Sequence, residues 1–203
     1  MADLTLYGSA LSGHAHRAAL LLNLLKLPYR LIDTPRAARQ APEFAALNPL
    51  RQIPVLRDGD LVVTDSNAIL VYVARTYDPA GTWLPRDPVV EARVQRFLSL
   101  AAGELAFGPA TARAVTLWGY PGDAEAARAI AVRLLAFLEQ HLTGQAFLAA
   151  ALPTIADLAC YAYVARAPEG RISLAPYPAV RAWLGRVEAL DGFVPIPTSE
   201  VPA

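Results

Sequence analysis

The sequence predicts an α/β domain of order β-α-β-α-β-β-α over residues 1–77, a linker at 78–88 and an all-helical domain over 89–203. Three observations carry that reading. Two short strand-like runs flank a Leu- and Ala-rich helical run near the start, which is the pattern of a βαβ unit with parallel strands. Two further apolar runs meet at Asp58-Gly59, a strong hairpin signal. Beyond DPAGTWLPRDP, where prolines and a glycine interrupt the chain, every periodic segment repeats as a helix does.

The elements follow in order. LTLY ends at Gly8 and reads as a strand leading into a loop. From Ala15 to Lys26, AHRAALLLNLLK is rich in good helix formers and stops before Leu27-Pro28, where proline disfavours helix in the residue ahead of it. YRLID supplies the second strand, and a short helix is expected around Glu43 to Leu47. IPVLR and DLVVT form the hairpin, and from Ser66 the stripe Ile69, Leu70, Val73, Ala74 and Tyr77 marks an amphipathic helix. In the second half the helical segments are Val89 to Leu117, AEAARAIAVRLLAFLEQHL, TIADLACYAYVARA and PAVRAWLGRVEAL.

Composition narrows the function. Eighteen basic and eighteen acidic side chains cancel, with no run of like charge, so neither a nucleic-acid footprint nor a polybasic membrane anchor is expected. Apolar runs such as Ala18 to Leu22 fall well short of the ~20 residues of a spanning helix. MADLTLYG lacks the pattern of a secretory signal, and a single cysteine, Cys160, excludes an internal disulfide framework and any CxxC pair. A cytoplasmic protein with a small or apolar partner is expected. His14, His16 and His141 show no metal-ligand spacing.

Four segments together resemble the cytosolic glutathione transferases: LYGSALSGHAHRAALLLNLLKLPY, NPLRQIPVL followed by TDSNAIL, LPTIADLACY, and APYPAVRAWLGRVEALDGF. The resemblance runs nearly end to end and is closest to bacterial members with a serine-type site. It implies a thioredoxin-like first domain, a helical second domain and a commonly homodimeric assembly, with Arg75 and the helix from Val89 near the interface. It also implies glutathione as co-substrate, no metal, and conjugation of the glutathione thiolate to a hydrophobic electrophile, a detoxification chemistry. A glutathione-dependent reductase, isomerase or dehalogenase, or a non-catalytic interaction module, are the alternatives on this fold.

On sequence alone the Ile53-Pro54 bond would be trans; the resemblance implies cis, with the Ile53 backbone left free to pair with an extended peptide. Asp65 or Ser66 caps the following helix on a bare reading. A helix start also offers N–H groups and a positive dipole end, so Ser66 can hold a carboxylate and Asp65 an ammonium group. The resemblance assigns that pair to the γ-glutamyl end of glutathione. Arg51 and Gln52, just before the proline, are candidates for its glycyl carboxylate, with Gln40 a further candidate.

The nucleophile must be a thiolate, and a free thiol with pKa near ~8.5 is mostly protonated at neutral pH. Donors in the first loop can stabilise it: Tyr7, Ser9, Ser12, His14 and His16 are the candidates. Alignment with family members that carry SGN followed by a basic residue selects Ser12, with Ser9, His14 and Tyr7 in support. Cys160 reads as a buried small hydrophobe, and Thr154 with Asp157 as a capping box without chemistry. Leu105, Phe107, Ala112, Arg113 and Trp118 are expected along the electrophile cleft.

Overall fold

A computed structural model describes residues 3–202 of the chain. β1 (Leu4–Gly8) pairs in parallel with β2 (Tyr29–Asp33) and antiparallel with β3 (Val55–Asp58), which pairs antiparallel with β4 (Leu61–Thr64). The sheet order is therefore β2-β1-β3-β4. The parallel pair requires a crossover, and α1 (Gly13–Leu24) provides it. A short 3₁₀ turn at Ala38–Gln40 and α2 (Pro42–Leu47) connect β2 to β3, and α3 (Ser66–Tyr77) follows β4.

The hairpin turn differs by one residue from expectation. Asp58 pairs with Leu61, so the two loop residues are Gly59 and Asp60, with Gly59 at φ +56°. A two-residue hairpin loop needs a left-handed first position, which glycine supplies without strain and aspartate does not. α1 also starts earlier, because Ser12 caps it, and closes at Leu24 rather than Lys26.

The second half comprises α4 (Pro88–Ala102), α5 (Thr111–Trp118), α6 (Ala124–Leu142), α7 (Ile155–Ala165) and α8 (Pro178–Glu188). The single helix expected from Val89 to Leu117 is thus broken. Gly103 leaves helical dihedrals at φ −99°, ψ −103°, and a π-helical turn over Ala106–Ala110 contains Pro109. Proline lacks the N–H that a continuous ladder requires there.

One apolar cluster runs from Leu4 and Leu6 on the sheet, through Leu20, Leu21 and Leu22 of α1, to Leu158 and Val164 of α7 and Trp183 of α8. The Pro-rich segment 78–88 is itself packed, with Trp83 and Leu84 buried. Asp78 Oδ2 accepts the Trp83 amide at 2.7 Å, and the Trp83 carbonyl accepts the Ile155 amide at 2.9 Å. Asp157 completes a capping box with Thr154 and also accepts from the Leu148 amide and Trp183 Nε1, both at 2.9 Å. These bonds set the start of α7 against the core, and α7 in turn supports the first turn of α1.

Candidate functional site

Two helix starts meet at the C-terminal ends of β1 and β4. At the first, Ser12 caps α1: its Oγ accepts the Ala15 amide at 3.2 Å. Accepting uses a lone pair, so the hydroxyl proton stays available to an acceptor in front of the loop. Gly13 follows because a Cβ there would lie 2.7 Å from Cζ of Tyr163 on α7. Any other residue would push α1 off the helix that supports it.

At the second start, Asp65 adopts φ +70° and caps α3, its Oδ1 accepting from Asn67 N at 2.8 Å and Ala68 N at 3.0 Å. The Ser66 amide is the first-turn N–H that this cap does not take. A non-glycine residue at positive φ is strained, and such strain concentrates at ligand clamps. Asp65 is exposed and leaves its second carboxylate oxygen outside the cap, so capping and ammonium binding are compatible.

Ser66 itself is buried, and its hydroxyl is engaged. It accepts from Arg17 Nη1 at 3.3 Å and lies 3.4 Å from His14 Nδ1. His14 is held neutral: burial, with the Arg17 charge behind it, lowers its pKa from 6.5 to about 3. As a neutral imidazole its Nδ1 accepts from the Ser66 hydroxyl in one tautomer and donates to Ser66 Oγ in the other, and the second leaves the Ser66 hydroxyl proton free for a ligand. His14 joins the two helix starts and carries no positive charge near neutral pH.

Arg17 is the residue the sequence reading passed over. It lies on the interior face of α1, 1% exposed, and donates to Ser66 Oγ and to Asn67 Oδ1 at 2.9 Å. Its Nε and Nη2 have no hydrogen-bond partner among the described residues. Desolvation lowers its pKa, opposed by the nearby Tyr163, Cys160 and Asp65. An arginine inside an apolar helical run was the available signal, since arginine is almost never fully buried without a purpose.

The remaining candidates fall in two groups. The Ile53-Pro54 bond is cis, and sheet pairing begins only at Val55, which leaves the Ile53 peptide groups outside the ladder. Arg51, at φ +55°, donates to Gln40 Oε1 at 2.9 Å, which brings two candidates together, and Gln52 beside them is exposed. Ser9 shapes the loop, its carbonyl accepting the Ser12 amide at 3.0 Å. Tyr7 packs edge-on against Phe44 of α2. His16 faces the core and donates from Nε2 to the Val194 carbonyl at 2.8 Å, which removes it from the donors in front of the loop.

Of the expected electrophile lining, Phe107 and Trp118 are 65% and 46% exposed, whereas Leu105 and Ala112 are core residues and Arg113 is buried in an ion pair with Glu169. Leu105, just ahead of the π-helical turn, is buried in the core and so cannot line an open cleft. Cys160 is buried, and desolvation raises its thiol pKa to about 12, so it supplies no thiolate near neutral pH. Tyr163 is shifted upward by burial, partly offset by Arg17, Arg113 and the amides of His14 and Gly13 that face its phenol oxygen.

Residues 11–76 match the family model of the glutathione S-transferase N-terminal domain and residues 88–186 that of the C-terminal domain. The chain is 32% identical over 207 residues to glutathione S-transferase 3 of Zea mays, covering 95% of this chain and 92% of that one. It is 31% identical over 160 residues to glutathione S-transferase 2 of Anopheles gambiae, covering 78% and 77% respectively. Among solved structures it resembles a glutathione S-transferase from Pseudomonas fluorescens, with TM-score 0.88 and 31% identity over 95% of this chain and 98% of that one. It also resembles a glutathione transferase homolog of Drosophila mojavensis solved with bound glutathione, with TM-score 0.82 and 27% identity over 94% and 89%.

Proposed function

The chain belongs to the glutathione S-transferase family, and from that premise we propose that it binds glutathione between the starts of α1 and α3 and ionises the thiol with Ser12. The observation that carries this reading is the junction of the two helix starts through His14, whose Nδ1 lies 3.4 Å from Ser66 Oγ. A helix start with a first-turn amide outside its cap, beside a hydroxyl donor, supports the binding of a short peptide with a thiol in its middle.

In this reading the γ-glutamyl carboxylate sits on the Ser66 amide and hydroxyl, with the buried Arg17 charge behind them, and Asp65 takes the ammonium group. The Ile53 peptide groups pair with the backbone of the cysteinyl residue. Arg51, Gln52 and Gln40 meet the glycyl carboxylate. The thiol then faces Ser12, whose O–H donates to the developing S⁻, aided by the positive end of α1. The thiol proton leaves to solvent, the sulfur lone pair forms a bond to an electrophilic carbon, and a leaving group such as halide departs with its bonding pair.

The electrophile is apolar and lies against Phe107 and Trp118. The protein works as a cytoplasmic homodimer in detoxification. The exposed apolar side chains Leu61 and Val62 of β4 and Val89 of α4 offer contact surface for a second copy, near the Arg75–Glu91 pair. Turnover of chlorodinitrobenzene with glutathione tests the reading. The wild type is expected to form the thioether, with kcat falling in Ser12→Ala. Absence of glutathione-dependent turnover across several electrophile classes would contradict conjugation as the reaction.

A further inference from the structure

Arg113 is the largest departure from sequence expectation, and its surroundings assign it a different task. It projects from α5 into the interior, 2% exposed. Its Nε donates to Glu169 Oε2 at 2.5 Å and its Nη1 donates to the Leu11 carbonyl at 2.7 Å. Glu169 is 6% exposed, and its Oε1 accepts the Ser199 amide at 3.1 Å and lies 3.6 Å from Arg166 Nε. One ion pair thus joins α5, the 3₁₀ turn Ala167–Gly170, the C-terminal segment and the loop after β1.

Stability alone gives little reason for such a pair. Two desolvated charges usually do no better than well-packed apolar residues of the same volume. What an apolar pair cannot do is hold a carbonyl. Among the described residues Arg113 is the one side chain that hydrogen-bonds to the Ser9–Leu11 backbone. The peptide unit between Leu11 and Ser12 is planar, so its C=O and N–H move together. Its N–H is fixed on the Ser9 carbonyl at 3.0 Å and its C=O on Arg113 at 2.7 Å. With that plane held at both ends and the Ser12 Oγ on the Ala15 amide, the position of the Ser12 Oγ is set, and its O–H turns toward whatever acceptor lies in front of it.

We propose that Arg113, anchored by Glu169, is a positioning residue for the thiol-activating serine, acting through the Leu11–Ser12 peptide plane. The proposal rests on the function assigned above. A misplacement of about 1 Å at a reacting group costs on the order of 10²-fold in rate. Losing Arg113 should therefore change the ionisation of bound glutathione more than its binding, because the groups assigned to the two ends of the peptide lie on other elements.

The test measures the apparent pKa of the bound thiol from thiolate absorbance, together with kcat and KM for glutathione. It compares wild type, Arg113→Met, Ser12→Ala and the double variant. Arg113→Met is expected to lower kcat by about 10- to 100-fold, leave KM within about threefold, and move the thiol pKa toward the free value near ~8.5. In the Ser12→Ala background the same change should have less than about a twofold effect, since the residue acts through Ser12. Arg113→Lys, which can reach only one of its two partners, should fall between. A folded Arg113→Met with wild-type thiol pKa and kcat, or losses additive with those of Ser12→Ala, would overturn the proposal while leaving the transferase reading intact. A wild-type protein that does not ionise glutathione overturns both. Should Arg113→Met fail to fold, Glu169→Gln decides: it retains the guanidinium but removes its anchor, and an unchanged thiol pKa and kcat would again overturn the proposal.

Discussion

Arg17 Nη1 donates to Ser66 Oγ at 3.3 Å, so the interior of α1 is bonded to the first residue of α3. The same guanidinium holds Asn67 Oδ1 at 2.9 Å, and Asn67 Nδ2 continues to the Leu98 carbonyl of α4 at 2.9 Å. A buried cation with two nitrogens lacking partners among the described residues is an expensive thing to keep. Under the proposed function its position directly behind Ser66 accounts for it, since an anion bound at the α3 start would compensate the charge.

Arg17→Met follows from this. Removing a buried, half-satisfied cation relieves its desolvation but leaves Asn67 Oδ1 without its donor, so stability should change by no more than ~2 kcal/mol. Glutathione affinity should fall by about tenfold or more, as for loss of a charge-assisted contact. Denaturant unfolding beside a glutathione titration separates the two effects; an unaltered affinity would mean that Arg17 is structural only.

Ser12→Ala tests the thiolate donor. Removing one preorganised donor from a developing anion costs on the order of 10²- to 10³-fold in kcat, and loss of the N-cap costs about 1 kcal/mol of stability. KM for glutathione should change little. Ser12→Thr, which keeps both the cap and the hydroxyl, is expected to recover part of the rate.

Acid sensitivity follows from His14. Its pKa is depressed from 6.5 to about 3 in the folded protein, so between those values the unfolded chain binds a proton that the folded chain refuses. Stability is therefore complete above the unfolded pKa and is lost as pH falls toward 3, by about 1.6 kcal/mol between pH 6.5 and 5. His16, also depressed by burial, adds in the same direction. In His14→Asn, unfolding at the two pH values should show a correspondingly smaller difference.

Asp157→Ala should damage the fold and spare the chemistry. Its carboxylate accepts from Thr154 N, Leu148 N and Trp183 Nε1 at 2.8 to 2.9 Å in a fully buried setting. Leaving those donors unpaired is expected to cost about 3 kcal/mol or more. Folded variant should retain kcat, and the loss should appear in the thermal midpoint.

Much of this arrangement could be read along the chain because it is local. Asp65 and Thr154 are helix caps written as small polar residues ahead of apolar periodicity, and the hairpin and the Thr154–Asp157 box lie within a few residues of their partners, whereas the cis Ile53-Pro54 bond is legible only through the family resemblance and the Ser12 cap is not read. What was misread depends on distance. Gly103 and Pro109 break the helix locally but sit in an otherwise helical pattern, and the burial of Leu105 depends on packing that the sequence does not display. Arg17 is passed over and Arg113 is expected along the electrophile cleft because nothing nearby in sequence shows that Ser66 and Glu169 would be brought against them. Burial of a charge is a tertiary fact, and both departures from expectation fall on the candidate site, where local rules are most often overridden.

The most direct measurement is calorimetric titration of the purified protein with reduced glutathione near neutral pH, with Ser66→Ala alongside. The site described here predicts saturable binding by the wild type and a dissociation constant raised about tenfold or more in the variant. A folded wild-type protein that shows no saturable binding, or a Ser66→Ala variant that binds as tightly as the wild type, would contradict it.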